Sequence, residues 1–253
     1  TVVNLAADEY TNLRHSIEAQ DLQQLCYGTS SAKSLTLSFW VKSNTTGTAG
    51  ITFNKHDATA YYITRTYTIN AADTWEKKTV TIPGLTASGI ANDNGIGLNV
   101  YWFLSAGSDY TSSDSTSWVT TADSKYAYGH AINLTDSTSD YLALAGVQLE
   151  VGDVATDFEH RSYGAELSRC QRYCYIPTYD SSVGPYAFKY HTAYKAAQEF
   201  FPVTMRAAPT CTMTYSAGSW TTHHPGPNHF KAYVEAADGD IRRITSAKFE
   251  AEL

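Results

Sequence analysis

The chain of 253 residues is 43% hydrophobic and 17% charged, which excludes a disordered polypeptide and allows one large or two modest domains. Its net charge of −7, without any long basic run, disfavours a nucleic-acid partner. No apolar stretch approaches the about 18 residues of a membrane span, so we expect no membrane insertion.

The first part of the chain alternates apolar and polar residues, and it is rich in Tyr, Phe and Thr, which favours β structure. Predicted strands lie at 34–41, 60–69, 75–82, 95–107 and 140–151. Turn-rich links, at 43–50, 87–95 and 105–117, separate them. This arrangement predicts an antiparallel jelly-roll β-sandwich over residues 1–160.

From Ala165 the spacing becomes helical, with Leu167, Cys170 and Cys174 on one stripe and Tyr163 one turn earlier. We expect Pro177 to end this helix. Strands then resume, at 186–194, 198–205, 210–216, 228–236 and 242–253. The fold class is therefore predicted as all-β: a jelly-roll domain at 1–160, then a short helix and a smaller antiparallel β domain at 161–253.

The four cysteines, Cys26, Cys170, Cys174 and Cys211, do not form a dense disulfide framework, and we expect free buried thiols. Cys170 and Cys174 share a helix face, a spacing that can serve a metal. No second closely spaced Cys/His pair follows, and parallel Cβ vectors disfavour a disulfide. Core packing is the preferred interpretation.

Three histidines, His223, His224 and His229, surround a Pro-Gly-Pro turn. They are weak candidates for a transition-metal site, particularly if a symmetry axis brings copies together, but an exposed polar loop is the preferred interpretation. Trp220 beside them is a candidate contact residue for a sugar or a protein.

No nucleophile elbow, phosphate-binding glycine loop or dinucleotide fingerprint is present, so we expect neither catalysis nor a cofactor. The long polar segment 105–130 carries aromatic residues instead: Tyr110, Trp118, Tyr126 and Tyr128. Flat rings among hydroxyl groups are typical of a carbohydrate platform. The alternative is that these rings cap the edge of the core.

Several long blocks of the sequence resemble the carboxy-terminal region of bacteriophage tail fibre and related virion structural proteins. These blocks are 17–48, 67–84, 146–174, 200–212 and 248–253. The resemblance implies a jelly roll similar to carbohydrate-binding modules, followed by a second β domain. It also implies a homotrimer in the extracellular tail of a virion, attached to other tail proteins, with no catalytic residues to carry over.

The sequence departs from this group at Cys174, where a Tyr would be expected, and in the segments 105–130 and 216–230, where receptor specificity would diverge. The charged and apolar residues around position 160 are expected at the domain junction or at a contact between subunits. They are Asp157, Glu159, Arg161, Tyr163, Leu167 and Arg169.

The main functional hypothesis is a phage tail fibre or receptor-binding protein, represented by its carboxy-terminal part, which binds a host surface glycan or an outer-membrane receptor. One alternative is a purely structural virion protein, in capsid decoration or tail assembly. Another is the carbohydrate-binding module of a secreted enzyme. Because the first residue is Thr rather than Met, we expect the chain to begin inside a longer protein or after processing.

Overall fold

A computed structural model describes residues 5–120, 126–178, 188–191, 194–215, 220–223, 225–235 and 244–251. The described residues are mostly β-strand and every strand pair is antiparallel, which confirms the all-β class. The chain divides into two compact units between Glu159 and His160. No helix within the described ranges has the length and apolar character to cross a membrane.

The first unit contains seven strands among its described residues. They are β1 (Tyr10–Glu18), β2 (Leu35–Ser43), β3 (Gly47–Lys55), β4 (Tyr61–Ile69), β5 (Glu76–Ile82), β6 (Ile96–Ala106) and β7 (Leu142–Val151). A 3₁₀ helix (Ala19–Leu25) follows β1, and a single turn of helix, α1 (Ser108–Thr111), follows β6.

These strands form two sheets, with the orders β1-β6-β3-β4 and β5-β2-β7. Alternate residues of each sheet point into one shared core, where the Phe39 ring of β2 meets the rings of Tyr67 on β4 and Trp102 on β6 edge-on. The first unit is therefore a two-sheet β-sandwich. Its jelly-roll topology stays a prediction.

Strand β3 lies inside its sheet although its first residues fall in the predicted link 43–50. Gly47 and Gly50 interrupt the alternation of apolar and polar residues in β3, and both positions lie too close to another part of the chain for a larger side chain. A Cβ on Gly47 would lie 2.8 Å from Ile132 Cγ2, and one on Gly50 would lie 3.1 Å from His130 Cβ. The close passage of the chain near residue 130 thus explains why a strand carries turn-like residues.

Arg65 joins the two sheets where their edges meet. Its Nε donates to the carbonyl of Thr81 on β5 (2.9 Å), and its Nη1 donates to the carbonyls of Thr64 (3.1 Å) and Thr116 (2.7 Å). One rigid guanidinium therefore holds β4, β5 and the segment after β6 in fixed positions.

Lys55, at the end of β3, is fully buried. Its ammonium donates to the carbonyl oxygens of Asp57 and Thr59 and to the hydroxyl of Ser88. A buried ammonium needs such oxygen partners, and here they close the turn that leads from β3 into β4.

The second unit has its own core and two further sheets. Its elements are α2 (Tyr163–Gln171), β8 (Cys174–Tyr175), β9 (Phe188–His191), β10 (Tyr194–Phe200), β11 (Thr210–Tyr215), β12 (Trp220–His223), β13 (His229–Glu235) and β14 (Ile244–Glu250). The sheets have the orders β12-β13-β10-β9 and β11-β14-β8. Phe201, Phe230 and Phe249 pack together between them.

Helix α2 lies where the sequence predicts a helix, but two details differ. It ends at Gln171, well before Pro177, because Cys174 and Tyr175 pair with β14. None of its residues is buried. The expectation of buried thiols was therefore wrong for Cys170, and also for Cys26, since both are exposed, while Cys174 and Cys211 are half-buried.

Candidate functional site

The described parts of the predicted aromatic segment 105–130, which are residues 105–120 and 126–130, run along the outer face of the β1-β6-β3-β4 sheet. The hydroxyl of Thr52 on β3 donates to the Tyr126 carbonyl (2.6 Å), and the Gly50 amide donates to His130 Nδ1 (3.0 Å). The amide of Tyr62 on β4 donates to the Val119 carbonyl (2.8 Å). These bonds fix the segment against the sheet, so this face is covered.

Tyr126, which belongs to this segment, is the centre of an aromatic cluster on the outer face of the sheet. Its ring centroid lies 5.2 to 5.5 Å from those of Tyr10, Tyr62, Tyr101 and Phe103. Burial raises the pKa of Tyr126 above its ordinary value, and a hydrogen bond with Tyr101 adds to the effect. The ring of Tyr126 thus contributes chiefly to packing.

The other predicted residues of this segment are placed in similar ways. The Tyr110 hydroxyl donates to the Asp8 carbonyl (2.9 Å), and the Trp118 indole N–H donates to the Pro83 carbonyl (2.9 Å). Trp118 also packs edge-on against Tyr27. Tyr128 is half-buried. These are the contacts of rings that cap a core edge, and a ligand role for them stays a prediction.

The outer face of the β5-β2-β7 sheet is different, because large aromatic side chains remain exposed there. Trp40, on the central strand, is 42% exposed, and its neighbours across the sheet are Lys77 on β5 and Ala145 on β7. Trp75 is 44% exposed and lies directly before β5, two residues ahead of Lys77. Trp40, Trp75, Lys77 and Ala145 are called the tryptophan face below.

This surface was not among the predicted sites, although the sequence carries a signal for it. Trp40 occupies a polar position in the alternation of its strand, where a large ring has no core to enter. The alternation alone does not say whether the outer face is open, because the equivalent face of the other sheet is covered by a distant part of the chain.

Gly146 on β7 determines how Trp40 lies. A Cβ built on Gly146 would be 3.2 Å from Trp40 Cδ1 and 3.8 Å from Phe158 Cδ2, and the residue has a φ of +53°. Only glycine combines this left-handed conformation with so close an approach at no steric cost. The bulge at Gly146 therefore leaves room for the Trp40 indole beside Phe158.

The chain that follows β7 is tied back to the same sheet. Gln148 accepts a hydrogen bond from the amide of Glu159 (2.7 Å) and donates to the Asp157 carbonyl (3.2 Å). Glu150 accepts from the amide and the hydroxyl of Thr156, and these bonds hold the pKa of Glu150 below its ordinary value. The border of the tryptophan face is therefore fixed by a polar network.

The two exposed indoles of the tryptophan face lie near polar groups on β5: the ammonium of Lys77 and, two residues further along the strand, the hydroxyl of the exposed Thr79. An indole is flat and apolar with a single N–H donor, whereas ammonium and hydroxyl groups bind oxygen atoms. This arrangement suits a ligand with apolar C–H faces and many hydroxyl groups, which is the chemistry of a sugar.

The residues predicted at the junction are exposed in the chain. Arg161 and Glu166 form an ion pair of 3.6 Å within the second unit, Tyr163 is 82% exposed and Leu167 is 39% exposed. Arg169 is exposed, and its carbonyl accepts a hydrogen bond from Arg172 at the end of α2.

The histidine-rich segment contains a strand as well as a loop. β12 carries Trp220 and His223, of which only the backbone is described, and pairs with β13, which begins at His229. His224 lies outside the described residues. Among the described residues, no group of three or more His, Cys, Asp or Glu is arranged to hold a metal ion.

Comparison with protein families, with curated proteins and with solved structures found no match to this chain.

Proposed function

We propose that this chain is the carboxy-terminal part of a phage tail fibre or receptor-binding protein, and that its first unit binds a glycan of the host surface on the tryptophan face. The observation that carries the binding proposal is the exposure of Trp40 on the central strand of the sheet and of Trp75 directly before β5. The phage context rests on the resemblance of the sequence blocks described above. In this proposal the protein belongs to the extracellular tail and contacts other tail proteins.

The two indoles supply most of the expected affinity. A sugar ring that stacks on an indole removes apolar area of both from water, and the neighbouring Lys77 and Thr79 bond its hydroxyl groups. The sheet holds the Trp40 backbone, and its ring lies close against Gly146, so little conformational entropy is lost on binding. A homotrimer, as the resemblance implies, would multiply the strength of a weak single site.

An array of purified bacterial surface polysaccharides tests the proposal. The chain should bind a subset of them, and Trp40→Ala and Trp75→Ala should each weaken binding about tenfold or more, as expected for the loss of about 1.4 kcal/mol of stacking. Phe200→Ala is the matched control, because Phe200 is an exposed aromatic residue of the second unit. Unchanged binding in both tryptophan variants would rule out the tryptophan face.

The loop aromatics of the sequence-based hypothesis are tested in the same array with Tyr128→Ala. This side chain is half-buried and the substitution should leave binding unchanged if the tryptophan face is the site. A loss of binding in Tyr128→Ala together with normal binding in Trp40→Ala would move the site to the segment 105–130.

The exposed tryptophans fit a second candidate function equally well, the carbohydrate-binding module of a secreted enzyme. The two functions differ in what precedes the chain in the complete gene product. A catalytic domain upstream of Thr1 would favour the enzyme module, whereas a long fibre-like segment would favour the tail fibre.

A further inference from the structure

Two lysines lie beside Trp40 on the outer face of the β5-β2-β7 sheet. Lys77 on β5 is the direct neighbour of Trp40 across the sheet, and Lys42 follows Trp40 by two residues within β2. Val41, between Trp40 and Lys42, is buried in the core, so both lysine side chains leave the sheet on the same side as the indole. As diagonal neighbours in the ladder, Lys42 and Lys77 have Cβ atoms about 7 Å apart.

Both ammonium groups are available to a ligand. Among the described residues, neither Lys42 nor Lys77 takes part in a hydrogen bond, an ion pair or a contact with an aromatic ring. Lys55 and Lys78 of the same unit differ, because carbonyl oxygens hold the first and Glu76 pairs with the second. Lys42 and Lys77 each therefore present three N–H donors that no group of the described chain uses.

The acidic groups in this part of the unit have donors of their own. Asp73, in the turn before β5, accepts a hydrogen bond from the Tyr141 hydroxyl (2.5 Å). Glu150 on β7 accepts from the amide and the hydroxyl of Thr156, and Lys77 makes the smallest contribution to lowering the pKa of Glu150. The two ammoniums beside Trp40 thus repel each other without an ion-pair partner in the described chain. An anion that binds both of them removes this repulsion.

We propose that the glycan bound by the tryptophan face is acidic, and that a sugar stacked on Trp40 carries an anionic group bound by Lys42 and Lys77. Each ammonium pairs with one oxygen of that group, which is a carboxylate or a phosphate. This inference rests on the proposed function, since it names the class of glycan for the same site. The net charge of −7 disfavours anionic ligands elsewhere on the chain, so the two lysines also make the contact selective.

The array of bacterial surface polysaccharides tests the inference when its members are grouped as uronic acid polymers, phosphate-linked polymers and neutral polymers. The polysaccharides that bind should come from the first two groups, and the group that binds identifies the anion. A bound uronic acid polymer should lose at least tenfold in affinity after carbodiimide and borohydride reduction, which converts its carboxylates to primary alcohols. Raising the ionic strength from about 0.01 M to about 0.1 M should also weaken binding, because salt screens exposed charges.

Lysine variants connect the effect with this site. Lys42→Gln and Lys77→Gln should each weaken binding of the acidic polymer about fivefold, as expected for the loss of one exposed ion pair, and Lys42→Arg should retain it. Lys33→Gln is the matched control, because Lys33 is exposed and lies ahead of β2, at the opposite end of the strand from Lys42.

The outcomes separate this inference from the proposed function. Equal binding of the reduced polymer, or an equal loss in Lys33→Gln, would overturn the inference. Tight binding of neutral polymers that is lost in Trp40→Ala would overturn it too, and would leave the proposed function in place. Binding of no polysaccharide on the array would overturn both.

Discussion

His130 makes the stability of the first unit depend on pH. Its side chain is only 7% exposed, and its Nδ1 accepts the hydrogen bond from the Gly50 amide (3.0 Å). Burial lowers the pKa of His130 from 6.5 to about 4. A proton on Nδ1 would break the bond and place a charge in the interior, so the folded chain resists protonation until the pH is near this lower value.

The direction in which pH changes the stability follows from the difference between the pKa of His130 in the folded chain and in the unfolded chain. Below pH 6.5 the unfolded chain takes up a proton at His130 that the folded chain does not, so the unfolded state is favoured as the pH falls. The stabilisation is complete above the unfolded pKa and is lost as the pH falls towards the folded one. A difference of about 2.5 units corresponds to a loss of about 3 kcal/mol at pH 4 relative to pH 8.

Urea unfolding of the wild type and of His130→Gln, followed by tryptophan fluorescence, measures this loss. Because glutamine does not titrate, the stability difference between the two proteins should shrink by about 3 kcal/mol from pH 8 to pH 4, about 1.5 M in urea midpoint. Parallel pH profiles of the two proteins would refute the reasoning, and so would an imidazole pKa near 6.5 measured by NMR in the folded chain.

Further predictions concern the side chains that hold the sandwich together. Arg65→Met should lower the free energy of unfolding by about 3 kcal/mol in urea titration, because carbonyls lose a charged donor, and a loss below about 0.5 kcal/mol would contradict this role. Acetylation of the folded chain should modify the exposed Lys77 and spare the buried Lys55, as read by peptide mass spectrometry. Equal acetylation rates at the two lysines would disprove the burial of Lys55. Gly146→Ala should cost about 1 kcal/mol through its left-handed backbone and weaken glycan binding, whereas Gly164→Ala, whose Cβ meets nothing within 4 Å, should do neither.

Sequence alternation located those strands that bury one face in the core. β2 and β5 are examples, since their apolar residues recur at every second position. β1 was not predicted because it is an edge strand with exposed residues such as Leu13. β3 was not predicted because glycines interrupt its alternation, and these glycines leave room for the chain near residue 130.

The candidate site could be predicted only in part, because it depends on long-range packing. The aromatic residues of β6 and the tryptophan of β2 look alike in sequence, as rings at outward positions. Residues such as Tyr110 and Tyr126 pack over the first set, whereas the ring of Trp40 remains exposed. Helix α2 shows the same limit: its period predicts a helix, but not whether the stripe is buried within the chain.

The indole N–H signals of the tryptophans test the central claim most directly, because each tryptophan gives its own signal in a nitrogen-15 NMR spectrum. Titration with a polysaccharide selected on the array should shift the signals of Trp40 and Trp75 and leave that of the buried Trp102 unchanged. Shifts confined to Trp118 or Trp220, or no shift of any indole despite binding on the array, would contradict the tryptophan face as the glycan site.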